Sequence, residues 1–179
     1  MRLMRKIGII AVLSLLVTAL AAVPALAAGT PTFNAAAAPS GTHVQTGTPS
    51  CSFVTGTQNV TCSSFELAGV GNVDATATLT TVYSATINCT NRGGNLVEVH
   101  NQAVTTSTTT GEISPVNGRL TVPSLTSDTP TAAEILEQAD CPNPNWTPSV
   151  APGSITLVSS TYTVTFEGFT GAYITIIDP

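Results

Sequence analysis

The side chains able to do chemistry in this chain of 179 residues are few and widely spaced. The two histidines are His43 and His100, and no Gly-x-Ser-x-Gly turn is present to lift a serine toward either of them. Nucleophilic catalysis needs a serine, cysteine or threonine within reach of a base that a third group orients. Only His100 with a sequence-distant Ser and Asp is available for that role, and an exposed histidine on an edge strand accounts for it better. Glycoside hydrolysis needs two facing carboxylates, with aromatic platforms for the sugar. Glu134 and Glu137 are spaced to share a helix face, but capping and solvation explain both, and Glu98, Glu112 and Glu167 are scattered. Asp140 with Asn143 and Asn145 offers oxygens without the spacing of a calcium loop. Gly93-Gly94 is a turn pair and not a phosphate cradle. These residues assign no catalytic group, no metal and no cofactor.

The four cysteines, Cys51, Cys62, Cys89 and Cys141, are too far apart for a zinc site. What they do depends on the compartment, and the first residues point to export. Arg2, Arg5 and Lys6 precede an apolar run over 7–23, and Ala25-Leu26-Ala27 supplies small residues at alternate positions. That order is a cleavable signal peptide, 1–27, with cleavage expected after Ala27. An even cysteine count in an exported chain reads as two disulfides, with three connectivities open. Removal of the signal takes three of the five basic residues and none of the ten acidic ones, so two positive against ten negative leaves a net charge near −8. Only Arg92 and Arg119 remain to meet phosphate, which excludes nucleic acid and anionic membrane surfaces as partners. The charge is expected to keep the domain soluble and monomeric. The end of the chain, Thr175-Ile-Ile-Asp-Pro179, carries no wall-sorting pattern, so the expected location is extracellular.

The elements that must hold these residues are strands. Residues 28–50, rich in Ala, Gly and Pro, read as a flexible leader with at most a short strand near 42–45. Residues 51–179 are the domain. Cys51-Ser-Phe-Val and Asn59-Val-Thr-Cys62 flank a Gly-containing loop and form a hairpin that the two cysteines bracket. Cys51–Cys62 is therefore the natural pair, leaving Cys89–Cys141. From Val73 to Thr90 apolar and polar residues alternate, with a break only at Thr81 and Val82. At about 3.3 Å per residue that run is roughly 60 Å long, so two strands meeting near 80–82, or one long strand bent there, are expected. A turn follows at 91–95, a strand at 96–101, a polar Thr/Ser tract at 105–110 and a short strand at 119–122. Thr131-Ala-Ala-Glu134 is a capping-box pattern opening a helix of two or three turns that ends near Asp140. The stretch 154–167, which carries Val158, Tyr162, Val164 and Phe166, is a strand, and 172–177 is another. Seven or eight short strands without βαβ alternation predict an all-β, antiparallel, immunoglobulin-like sandwich with one short helix.

If Cys89 bonds Cys141, the turn at 91–95 and the segment 143–147 leave from one spot. Arg92, Asn95, Asn143, Asn145 and Trp146 would then form one patch, the candidate ligand contact. The plainer reading places the Asn and Gly residues there for turn geometry and Trp146 in the core.

Asn88-Cys89-Thr90-Asn91-Arg92-Gly93-Gly94-Asn95 and Cys141-Pro142-Asn143-Pro144-Asn145-Trp146-Thr147 resemble segments that recur in a set of uncharacterised small secreted β-sandwich proteins of actinobacteria. That resemblance covers about 53–166 and implies a Gram-positive exported domain without assigning an activity. The run from Cys51 to Cys62 is also similar to the first disulfide hairpin of neocarzinostatin-type carrier proteins, which are acidic secreted sandwiches. Their second cysteine pair is closely spaced, unlike Cys89 and Cys141, so the likeness is one of architecture. The expected function is a secreted, non-catalytic binding or cell-surface interaction module for an extracellular ligand. The alternatives are a small-molecule carrier, which requires an apolar cleft, and a small secreted hydrolase, which requires His100 or paired carboxylates in a pocket.

Overall fold

The computed structural model describes residues 29–54 and 56–178; the expected signal peptide lies outside them. Its strands are β1 (Thr32–Phe33), β2 (His43–Thr46), β3 (Cys51–Val54), β4 (Asn59–Cys62), β5 (Phe65–Ala68), β6 (Ala75–Thr90), β7 (Leu96–Ile113), β8 (Arg119–Val122), β9 (Leu125–Thr126), β10 (Thr147–Val150), β11 (Thr156–Phe166) and β12 (Ile174–Asp178). Among the described residues a single α-helix, α1 (Ala132–Leu136), lies between β9 and β10. The strand pairings are antiparallel. One long sheet runs β1-β12-β11-β6, with β7 on the far side of β6. β10 takes over from β11 along the C-terminal half of β6. Two three-stranded sheets, β2-β5-β8 and β3-β4-β9, form the opposing layer. The molecule is the all-β sandwich that the alternating patterns predict. It has more strands than expected because several are only two to four residues long.

β6 is one continuous strand. Its odd-numbered residues are buried and its even-numbered residues face outward without exception. The sequence break at Thr81 and Val82 marks a boundary between two cores. Ala75, Ala77 and Leu79 belong to a large core shared with the opposing sheets, where they meet Leu67, Leu120 and Val122. Ala85, Ile87 and Cys89 belong to a smaller core closed by Ile135 and Ala139. Between them, buried Thr81 shares a hydrogen bond of 2.7 Å with Thr106, and the Tyr83 hydroxyl lies 3.0 Å from the Ser127 hydroxyl while donating to the Gln58 carbonyl. These polar groups are buried with partners, which removes the desolvation penalty they would otherwise carry.

One expectation needs correction. Residues 28–50 are not a free leader over the described part. β1 pairs with β12, β2 pairs with β5, and Ala37 and Ala38 are buried. Gly69, at a φ of +76°, permits the close approach of this segment, because a Cβ there would collide with the Gly41 carbonyl. The polar Thr/Ser tract at 105–110 lies in the middle of β7. Val158 faces solvent, because the register of β11 against β6 shifts between Leu157 and Ser159. That bulge inserts one residue and reverses the facing that simple alternation assigns.

α1 carries the predicted capping box. Thr131 Oγ1 accepts from the Glu134 N–H, and the Glu134 carboxylate accepts from the Thr131 N–H at 2.7 Å. The α-helix ends earlier than expected, and its last turn tightens to bonds from Gln138 to Ile135 and from Ala139 to Leu136.

Candidate functional site

Both expected disulfides are present, Cys51–Cys62 and Cys89–Cys141, the second with its Cα atoms 5.9 Å apart. Cys89 is fully buried in the smaller core, and the 91–95 turn starts two residues beyond it. The Asn91 side-chain carbonyl accepts from the N–H groups of Gly93 and Asn95, which fixes the turn. On the other side, the Asn143 side-chain carbonyl accepts from the N–H of Asn145 and from its amide nitrogen. The two segments meet where Arg92 Nη2 donates to Asn145 Oδ1 at 3.1 Å.

The chemistry of this patch is largely internal. Asn91, Asn143 and Asn145 bond to their own loops, and Arg92 closes the clasp. Trp146 is half-buried and packs on the smaller core beside Leu136 and Cys141. Asn95 is exposed. The arrangement fastens two loops over a disulfide and leaves the rim of one indole exposed. Arg119 is also engaged, at 2.7 Å from Glu66 across β8 and β5.

The outer face of the long sheet is chemically different. Register pairs Thr32 with Thr175, Thr175 with Thr163, Thr163 with Thr78 and Thr78 with Thr109, giving one row of threonines across five strands. The next row contains Thr161, Thr80 and Ser107. Rows two residues apart along a strand are about 6.7 Å apart, and neighbouring strands are about 4.8 Å apart. Among the described residues, the hydroxyls of Thr78, Thr80, Thr161, Thr163 and Ser107 make no hydrogen bond within the protein. No charged side chain lies in these two rows. Sequence alternation marks Thr76, Thr78 and Thr80 as outward, but the rows exist only through the register of distant strands.

Asp74, Glu112 and Glu167 converge at one end of the same sheet, with carboxylate oxygens within 4.8 Å of one another. They line a shallow notch with Thr76 and Thr165. The Asp74 carboxylate, and then Glu167, hold the Glu112 carboxyl above the ordinary carboxylate range. Sequence spacing carries no hint of this convergence, because the three residues come from separate strand ends. His43 Nδ1 lies 2.8 Å from the Gly41 carbonyl, and His100 Nδ1 lies 3.8 Å from Glu98.

No family model matches the chain, and neither the curated proteins nor the solved structures include a match to it. The two disulfides point to an oxidising, extracellular compartment. Among the described residues no helix is long and apolar enough to cross a membrane.

Proposed function

We propose that this chain is a secreted, non-catalytic binding module that lays the threonine face of its long sheet against an uncharged, hydroxyl-rich polymer surface, a polysaccharide. The observation that carries the reading is the row from Thr32 through Thr175, Thr163 and Thr78 to Thr109. A threonine hydroxyl both donates and accepts, and a ligand made of hydroxyls can answer the unbonded ones, Thr78 and Thr163 among them. β-Branched side chains have few rotamers on a strand, so the array is ordered before contact and little freedom is lost on binding. The lack of charge in the rows argues against phosphate or carboxylate ligands and in favour of neutral sugars. The small-molecule carrier reading has less support, since the notch at the end of the long sheet is lined by Asp74, Glu112 and Glu167, and the apolar residues Ile113 and Val116 line a second notch together with the charged Glu66 and Arg119.

The test is depletion of the purified mature protein by insoluble cellulose, chitin and host cell wall. Thr78→Val with Thr163→Val keeps the β-branched shape and removes two hydroxyls. At roughly 1 kcal/mol for each lost bond, affinity should fall about tenfold or more while the melting temperature holds within a few degrees. Undiminished binding by that variant, or no binding of any of the three polymers by the parent protein, would overturn the reading.

A further inference from the structure

β7 is bonded to β6 along one edge, and among the described residues no strand occupies its other edge. The other outer strands of the long sheet are guarded. β1 is two residues long, and β10 is four residues long with Pro148 within it. Short strands and proline are how proteins discourage edge-to-edge pairing. The first half of β7 has neither. It runs Leu96-Val-Glu-Val-His-Asn-Gln102, and its one irregularity is a bulge at Val97. Leu96, Val97 and Val99 are 57%, 41% and 52% exposed, which concentrates apolar surface on four residues of an open edge.

We propose that this edge is a self-association surface, on which a second copy of the chain pairs antiparallel with the first about Val99. The occupant follows from the charges. A symmetric antiparallel pair centred on Glu98 sets Glu98 opposite its own copy, and like charges directly opposite are destabilising. Centring on His100 sets the imidazoles opposite each other. Centring on Val99 places valine on valine and sets Glu98 of each copy opposite His100 of the other, twice. His100 Nδ1 is buried without a hydrogen-bond partner in the single chain, and its own-strand Glu98 is at 3.8 Å, too long for a hydrogen bond. A facing carboxylate supplies the missing acceptor. Net charge favours a monomer, and the edge chemistry opposes that with two Glu98–His100 contacts and a shared apolar strip. A two-fold axis normal to the sheet turns both threonine faces the same way, though the pairing does not depend on what those faces bind.

The experiment is sedimentation of the purified mature protein over a concentration series, combined with mild oxidation of two variants. Facing residues in an antiparallel pair have Cα atoms about 4.5–5.5 Å apart, within the range of a disulfide. Val99→Cys should therefore give a covalent dimer whose peptide map shows the two introduced thiols joined to each other and both native disulfides intact. Ala103→Cys, on the same strand and the same face, should give at least about tenfold less. Val99→Lys should sediment as a monomer with an unchanged melting temperature. A parent protein that stays monomeric at every concentration would overturn the proposal, and so would equal crosslinking at 99 and 103.

Discussion

The two halves of β6 solve one problem differently. The first half, Ala75 to Leu79, lies between two layers of sheet. Its core contains Phe65, Leu67, Leu120, Val122, Tyr162, Val164 and Ile174 and needs no covalent help within it beyond the β3–β4 hairpin. The second half, Ala85 to Cys89, is covered by one short helix and an irregular segment, and its buried cluster is six residues. There the Cys89–Cys141 bond ties the covering segment to the strand. Apolar burial stabilises in proportion to area, so a half covered this thinly needs a constraint that does not depend on area. Thr81 and Tyr83 lie on the line between the halves, where a polar seam takes the place of packing.

The largest expected effect breaks the thin half. Replacing Cys89 and Cys141 together by Ala should cost about 4 kcal/mol on chain-entropy grounds, against about 3 kcal/mol for the same change at Cys51 and Cys62, whose loop is shorter. Urea denaturation of the two double variants reads the difference, and equal losses would show that the constraint is not what distinguishes the halves. Truncation in each core sharpens the same point. Leu79→Ala, between rigid sheets, should cost about 4 kcal/mol, and Ile135→Ala, under a helix of five residues that can settle inward, about 2 kcal/mol. The smallest effect concerns the clasp. Trp146→Ala removes a half-buried indole and should cost about 1–2 kcal/mol, with polysaccharide binding unchanged. Loss of binding at full stability would move the contact surface from the threonine face to the Arg92–Asn145 loops.

Much of this architecture is written locally. The alternation over 73–90, the hairpin around Gly56, the capping box at Thr131 and Glu134 and both cysteine pairings depend on residues near each other in sequence, or on elimination among four cysteines. The parts that escape such a reading depend on partners far away. β1 is two residues of no distinctive pattern, and it is a strand only because Ile174 and Thr175 lie beside it. The 105–110 tract is not legible as a strand because a strand facing water on one side, with threonine on both, shows no apolar period. Val158 turns outward against the alternation because a bulge leaves no mark in composition. The candidate patch is half visible. The disulfide brings its loops together, but their mutual hydrogen bonds appear only in three dimensions. The threonine rows are visible one strand at a time and never as rows.

The pairing of Thr32 with Thr175 joins positions 143 residues apart. A chain that emerges N-terminus first brings out the first of these partners early and the second almost last. Until then β1 has nothing to bond, and β12, which also completes the large core through Ile174 and Ile176, is missing. Contacts this distant in sequence form only after the intervening loop closes, which makes them late and slow. The sheet therefore closes only when nearly the whole chain is present.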